Sequence, residues 1–230
     1  MITILTAFWW MLFAQYVPFP RPSAPTGVSR TIVQGCSYQG SLGVSTGACV
    51  FGSSITAGNT VYVCASYSFS GSGASFSGQT FTPDPGSGTA ITGVSWASSN
   101  HVSCAYVLSA TSGTTVSVSV SGGGGSTVVG MIGVELNGPS TLTENASENG
   151  SGSVFGTSAT SFSITPTSGA IALDVCLSGS GSVSVGSGWT YYTGSGYSIV
   201  GYQIASGSSL NGTCTTSPAA NLWAHTIAFY

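Results

Sequence analysis

The sequence predicts an all-β fold, an antiparallel β-sandwich of about 10–13 short strands that disulfides stabilise. Apolar and hydroxyl residues alternate in many short runs, and the run Thr115–Ser121 places valines on one face and Ser or Thr on the other. Turns rich in Gly, Ser and Asn recur about every 8–15 residues, a spacing typical of sandwiches. No window combines a 3.6-residue apolar period with helix caps, so helices are not expected.

Each predicted strand is rich in Val, Ile, Tyr, Phe, Thr or Ala and is bounded by turn residues, such as Ala57-Gly58-Asn59 before the strand at Thr60. In chain order, the predicted strands are Thr31–Ser37, Ala48–Phe51, Thr60–Phe69, Ala74–Phe81, Ala90–Trp96, Val102–Ser109, Thr114–Ser121, Val128–Leu136, Ser161–Thr165, Ala170–Leu177, Ser182–Tyr192, Tyr197–Ala205 and Leu222–Phe229.

The chain is almost free of charge. Two Arg, no Lys and five Asp or Glu are the only ionic residues among 230. This composition excludes a phosphate-binding surface, so no nucleic-acid partner is expected. Disorder is also disfavoured, because 42% of the residues are hydrophobic and the net charge is only −3. With so few titrating groups, the free energy of unfolding is expected to change little between mildly acid and neutral pH.

Six cysteines form an even set without a C-x-x-C pair, which favours disulfides in an oxidising compartment over a structural metal. Buried free thiols in a cytosolic protein are the alternative. Six cysteines allow 15 pairings. Pairing cysteines on strands that could be neighbours gives Cys36–Cys49, Cys64–Cys104 and Cys176–Cys214.

The chain divides into an apolar segment (1–17), a Pro-rich linker (18–30) and a single predicted β-sandwich domain (31–230). The apolar segment has the length of a signal-peptide core but no basic residues before it. It is short for a stable membrane span. If the mature protein retains it, it could instead pair as an arm with the open sheet edge of another subunit.

Several short motifs resemble secreted Ser/Gly/Thr-rich β-sandwich surface modules of environmental microbes. They are Ile55-Thr56-Ala57-Gly58-Asn59-Thr60-Val61-Tyr62-Val63, Cys104-Ala105-Tyr106-Val107-Leu108, Gly133-Val134-Glu135-Leu136 with Gly138, and Trp223-Ala224 with Ile227-Ala228-Phe229. The resemblance covers about residues 31–230. It implies an extracellular sandwich of immunoglobulin-like or jelly-roll type and transfers no catalytic residue, since most such modules have no known function. The cysteines depart from the usual pattern.

Candidate catalytic residues are few. Gly43-Val44-Ser45-Thr46-Gly47 matches a nucleophile elbow, and Asp84 or Asp174 followed by His225 gives the order of a catalytic triad. No helix is predicted after Ser45, however, so we expect no triad. Asp174 lies in an apolar strand, where it could bind an ion or pair with Arg30, and we expect it to face solvent.

The carboxylates Glu135, Glu144 and Glu148 could serve glycoside hydrolysis, but a solvated loop explains the last two better. A calcium site in the 140–150 loop, with Glu144, Asn145 and Glu148, is a weaker alternative. His101, Cys104 and His225 do not form a credible metal set. No metal and no cofactor are predicted.

Two groups of residues are candidates for contacts with glycans. Three N-glycosylation sequons begin at Asn145, Asn149 and Asn211. A cluster of aromatic residues could stack on sugar rings, although packing on the core is the favoured explanation. This cluster is Trp189, Tyr191, Tyr192, Tyr197 and Tyr202.

Together these observations favour a non-catalytic structural or adhesive protein of the cell surface. We expect self-association into a homopolymer, a filament or matrix subunit that the apolar arm would connect by strand complementation. A carbohydrate-binding module that contacts cell-surface glycans is the alternative, and an enzyme is not expected.

Overall fold

The computed structural model describes residues 30–41, 43–68, 71–84, 100–122, 127–138, 143–144 and 151–230. These residues contain no helix, so none that could cross a membrane, and the all-β prediction is confirmed. The strands are β1 Ile32–Gln39, β2 Thr46–Val50, β3 Thr60–Ser68, β4 Gly71–Ser77, β5 Thr82–Pro83, β6 Asn100–Val107, β7 Thr115–Gly122, β8 Thr127–Leu136, β9 Thr143–Glu144, β10 Ser151–Thr160, β11 Ile171–Ser178, β12 Ser182–Val185, β13 Thr190–Ser195, β14 Ser198–Ile204 and β15 Thr213–Phe229.

The strands form three antiparallel sheets. The first sheet has the order β1-β8-β3-β6-β5, and the second has the order β2-β7-β4. The third sheet has the order β10-β15-β11-β14-β13, with β12 and β9 also paired to β15. We call residues 30–138, which hold the first two sheets, the N-terminal half, and residues 143–230 the C-terminal half.

The central strands of the first sheet, β3 and β8, are buried on both faces. One face packs on the second sheet through a core that includes Val61, Val63 and Val118. The other face packs on the third sheet through a core that includes Tyr62, Val134 and Phe229. Because side chains alternate between faces, a central sheet of this kind needs apolar residues on both, and β3 and β8 have them.

The two halves have equivalent strand pairing. In the N-terminal half, β3 lies between β8 and β6. In the C-terminal half, β11 lies in the same way between the second part of β15 and β14. β7 pairs with β2 and β4 as the first part of β15 pairs with the end of β10 and with β12. β1 lies beside β8 as the start of β10 lies beside the second part of β15. The C-terminal half therefore repeats the sandwich with longer, continuous strands.

A matching pair of tight turns supports this equivalence. The Gly58 amide donates to the Ala110 carbonyl at 2.8 Å, and the Ala110 amide donates to the Asn59 carbonyl at 2.7 Å. Gly169, Ala205 and Ala170 repeat both bonds at 2.8 Å. Gly58 and Gly169 have φ angles of 90° and 91°, a conformation that favours glycine. Asn59 and Ala170 are thus equivalent positions, and the register extends from them along β3 and β11.

The disulfides join Cys36 to Cys49, Cys64 to Cys104 and Cys176 to Cys214, the pairs that the sequence predicts. The first links β1 to β2 across the N-terminal sandwich, and the third links β11 to the start of β15 across the C-terminal one. The second joins the neighbouring strands β3 and β6. Three disulfides indicate a protein that folds outside the reducing cytoplasm.

The strand predicted at Ser161–Thr165 was wrong, since this segment makes only the isolated bridge of Ile164 to Leu210, and the strand there is β10 before it. Leu222–Phe229 is the end of the longer β15. The segment predicted at Ala90–Trp96 lies outside the described residues, as do the apolar segment and nearly all of the linker.

Candidate functional site

A pocket of about 260 Å³ opens where the two halves meet. We call it the tyrosine pocket and define it by its lining residues, which are Arg30, Thr31, Ile32, Ile171, Tyr192, Tyr202 and Ile204. The two tyrosine rings are 6.2 Å apart and nearly perpendicular. A bulge in β13 between Tyr191 and Thr193 turns Tyr192 towards this pocket, a common role of bulges.

Close packing of β1 against β13 closes one side of the tyrosine pocket. A Cβ atom at Gly35 would lie 2.5 Å from Cγ2 of Thr193 and 3.0 Å from Cε1 of Tyr192, so only glycine permits this approach. Burial first, and then the charges of Tyr202 and Glu135, raise the pKa of Tyr192. Its hydroxyl therefore stays protonated at neutral pH and can donate a hydrogen bond.

Arg30 is fixed at the rim of the tyrosine pocket. Its guanidinium donates to the carbonyl of Asn137 at 2.9 Å and to that of Tyr230 at 3.4 Å, and only 7% of the residue is exposed. The Thr31 amide donates to Oδ1 of Asn137 at 2.7 Å. The pairing with Asp174 considered from the sequence is not seen, because Asp174 lies in the core of the C-terminal half instead.

The structure separates the predicted aromatic cluster. Tyr192 and Tyr202 come together in the tyrosine pocket, whereas Trp189 packs on a different core and donates to the Asn211 carbonyl at 3.2 Å. Tyr191 is 56% exposed, and Tyr197 is half-buried in the turn between β13 and β14. A surface on which all five rings stack against one sugar chain is therefore not formed.

The strand β10 forms a second candidate site, at the edge of the third sheet. Within the described part of the chain it pairs with β15 alone. It is ten residues long and contains no charge and no proline. Phe155 on this strand and Phe162 just after it are 70% and 69% exposed. Long, uncharged edges with exposed apolar side chains readily accept another strand. We call this the β10 edge.

Tyr62, Asp84 and His225 form a fully buried polar cluster between the two halves. Nε2 of His225 lies 3.0 Å from Oδ2 of Asp84, and the Tyr62 hydroxyl donates to the same oxygen at 2.9 Å. The His225 ring stacks on Trp223 with centroids 4.9 Å apart. Burial, then the charge of Asp84 and this hydrogen bond, raise the pKa of Tyr62 well above its usual value. The cluster ties the N-terminal half to the C-terminal half.

This cluster is not a catalytic triad. Asp84 and His225 do pair, as their order in the sequence allows, but Ser45 is exposed beside β2 in the outer sheet of the N-terminal half. A strand, not a helix, follows Ser45. Asp84 and His225 are both fully buried, and nothing in the described residues exposes them to a substrate.

The expectation that Asp174 faces solvent was wrong. It does point away from Leu173 and Val175, but that face is the core of the C-terminal half, and Asp174 is fully buried there. Its pKa is raised to about 7, because burial outweighs the opposite effect of the hydrogen bond from the Thr213 amide. Its Oδ2 has no hydrogen-bond partner, and a Cβ at Gly212 would overlap its carboxylate.

Asp174 also lies beside a disulfide. Its ligand atoms and the sulfurs of Cys176 and Cys214 lie within 4.8 Å of one another. Because the two cysteines are oxidised to a disulfide, they offer no thiolate to a metal ion.

Glu135 is the centre of a buried hydrogen-bond network. It is fully buried and accepts hydrogen bonds from the Thr56 amide at 2.8 Å and from the side chains of Asn59 and Gln34. Asn59 in turn accepts from the Gly138 amide. This network joins two of the sequence motifs, the one around Asn59 and the one around Glu135, that look unrelated in the sequence.

Most of the remaining predicted site residues lie outside the part of the chain that the structure describes. Glu144 belongs to β9, and Asn145, Glu148 and Asn149 lie outside the described residues. Asn211 is exposed, so a glycan could be attached to it. The side chain of His101 also lies outside the described residues.

Comparison with protein families, curated proteins and solved structures finds no match to this chain. The resemblance to secreted surface modules stays a prediction.

Proposed function

We propose that this protein is a non-catalytic structural or adhesive subunit of the extracellular surface that assembles into a filament or matrix. In this proposal the apolar segment 1–17 of one copy adds as a strand to the β10 edge of the next. The observation that carries it is the β10 edge itself, which is long, uncharged and lined by the exposed ring of Phe155. Charged residues or proline usually protect such edges.

The chemistry of residues 1–17 suits this edge. The segment has no charged residue and contains several Ile, Phe, Trp and Thr residues, which favour strands. An added strand gains backbone hydrogen bonds along its length and places alternate side chains against the sheet. Phe155 would then be covered by the arm, which removes an apolar ring from water.

Compartment and surface composition support the same proposal. Three disulfides fit an oxidising environment. Contacts made by a surface covered by hydroxyl groups rather than charges should depend little on salt concentration. The exposed sequon at Asn211 would accept a glycan in a host that glycosylates secreted proteins.

The test compares the full chain with a chain that lacks residues 1–17 and with two lysine variants, by electron microscopy and sedimentation velocity. We expect ordered assemblies from the full chain and monomers from both the truncated chain and Phe155→Lys. Phe162→Lys is the matched control, because Phe162 is equally exposed but lies beyond β10. It should still assemble.

Mass spectrometry of the N-terminus must be made on the same samples. Assemblies whose subunits have lost residues 1–17, or that persist in Phe155→Lys, would refute the arm. Monomers from the full chain with Met1 retained would refute self-assembly.

A carbohydrate-binding module is the second candidate function. The observation that favours it is Tyr191 on β13, which is 56% exposed. Exposed aromatic rings provide the flat faces on which sugar rings stack. Retention on immobilised polysaccharides by the full chain, lost in Tyr191→Ala, would support this alternative.

A further inference from the structure

The tyrosine pocket has the chemistry of a site for proline-rich chain. Its walls are two tyrosine rings set at an angle and three isoleucines, and Arg30 is already held by two carbonyls. Proline-rich segments in the polyproline II conformation dock in aromatic-lined grooves and expose their carbonyls to donors. The Tyr192 hydroxyl is such a donor. Sugars need several polar partners, whereas isoleucine side chains and tyrosine rings form most of these walls.

The chain itself supplies a segment of this kind a few residues before Arg30. Pro18, Pro20, Pro22 and Pro25 fall within eight residues, and only residues 26–29 separate Pro25 from Arg30. Four residues span at most about 14 Å when extended. Gly27 lies among them and tolerates the backbone conformations of a sharp reversal. The segment is therefore tethered at a high effective concentration beside the tyrosine pocket.

We infer that residues 18–25 dock in the tyrosine pocket of their own chain. The docked prolines cover the faces of Tyr192 and Tyr202, and the Tyr192 hydroxyl donates to a carbonyl of the segment. The docking would fix the direction in which residues 1–17 leave the sandwich. This consequence rests on the proposed function, in which residues 1–17 act as an arm. The docking itself needs a single copy.

The experiment places a photo-crosslinking p-benzoylphenylalanine at Phe19 in the full chain, in an equal mixture of isotopically light and heavy protein. Phe19 lies between Pro18 and Pro20, and the replacement keeps an aromatic ring. We expect crosslinks from position 19 to peptides that contain Ile32, Tyr192 or Tyr202, within light or within heavy chains only. The yield should not change with protein concentration.

Two variants make the result specific. Pro20→Ser with Pro22→Ser should lower the yield about tenfold, which corresponds to about 1.4 kcal/mol of docking free energy. Ser23→Ala is the control in the same segment and should leave the yield unchanged. The substituted positions of both variants lie outside the described residues. Far-ultraviolet circular dichroism checks that each variant folds.

Crosslinks outside the pocket, a yield that Pro20→Ser with Pro22→Ser does not change, or crosslinks between light and heavy chains would overturn the inference. The inference would also be overturned if an added oligosaccharide protects Tyr192 and Tyr202 from chemical modification and no crosslink forms from position 19. Loss of assembly with intact crosslinks from position 19 would refute the arm but not the docking, so the two failures can be told apart.

Discussion

The two halves of the molecule have the same strand pairing but solve the problem of buried polar groups differently. In the N-terminal half, Asn59 and Glu135 bind each other and the adjacent turn. Their equivalents in the C-terminal half are Ala170 and Ala228, which need no partner. In contrast, Asp174 takes the place of Val63 and carries a carboxylate into a core that leaves its Oδ2 without a hydrogen-bond partner.

This difference shows that the strand pairing does not depend on one set of polar contacts. The shared pattern of alternating apolar residues and the turns at Gly58 and Gly169 suffice to build both sandwiches. The polar residues then give each half its own response to pH and mutation.

Breaking the buried cluster between the halves should have the largest effect. His225→Leu removes the imidazole from the buried Asp84 carboxylate, which keeps the hydrogen bond from the Tyr62 hydroxyl, and we expect a loss of about 3–5 kcal/mol in the free energy of unfolding. Leucine resembles Ile132, the equivalent residue of the N-terminal half. Urea unfolding followed by circular dichroism measures the change.

The control for this variant adds Asp84→Asn, which removes the buried charge and should restore part of the loss. A decrease below about 1 kcal/mol for His225→Leu would show that the cluster does not tie the halves together, since even a single buried unsatisfied group costs about 1–3 kcal/mol.

Asp174 should make the stability of the protein depend on pH, in place of the pH-insensitive stability expected from the composition. Its pKa of about 7 in the folded state lies above its usual 3.8, so the folded state binds the proton more tightly. Stability is therefore highest below pH 4 and falls as the pH rises to 7. The loss is about 4 kcal/mol.

Asp174→Asn isolates this contribution, because the other titrating groups are shared with the parent. The unfolding free energy of the variant minus that of the parent should rise by about 3 kcal/mol between pH 4 and pH 7. A difference that stays constant over this range would show that Asp174 is not buried as described.

The smallest expected effect comes from converting the polar network of the N-terminal half to that of the C-terminal half. Asn59→Ala alone leaves Glu135 without one of its donors, and we expect a loss of about 1–3 kcal/mol. The double variant Asn59→Ala with Glu135→Ala should lose less than the sum of the two single variants, with a coupling of about 0.5–3 kcal/mol. Strict additivity, measured by denaturant unfolding, would contradict the network.

Much of the fold could be predicted from the sequence, since alternation in runs such as Thr115–Ser121 reports a face directly. The cysteine pairs followed because each pair lies on strands close in the sequence order. β10 was missed because Ser151–Thr160 is rich in Gly and Ser and alternates weakly. Its pairing with β15 is set by the tertiary structure, not by local preference.

The candidate sites were harder to predict. The sequence shows the aromatic cluster, but it does not show the bulge that turns Tyr192 towards Tyr202. This bulge depends on the register of β13 with β14, which no residue type encodes. Asp174 was placed on the correct side of its strand, but a single alternating strand cannot tell whether its second face meets solvent or another layer. The burial of Glu135 and Asp84 arises from partners far apart in the sequence.

The most direct test of the central claim, that the apolar arm of one copy occupies the β10 edge of another, is a crosslink from that edge. Photo-crosslinking p-benzoylphenylalanine at Phe155, in assemblies made from equal amounts of light and heavy full chain, should capture peptides from residues 1–17. These crosslinks should join light to heavy chains. Crosslinks within single chains only, or none to residues 1–17 in ordered assemblies, would contradict the account.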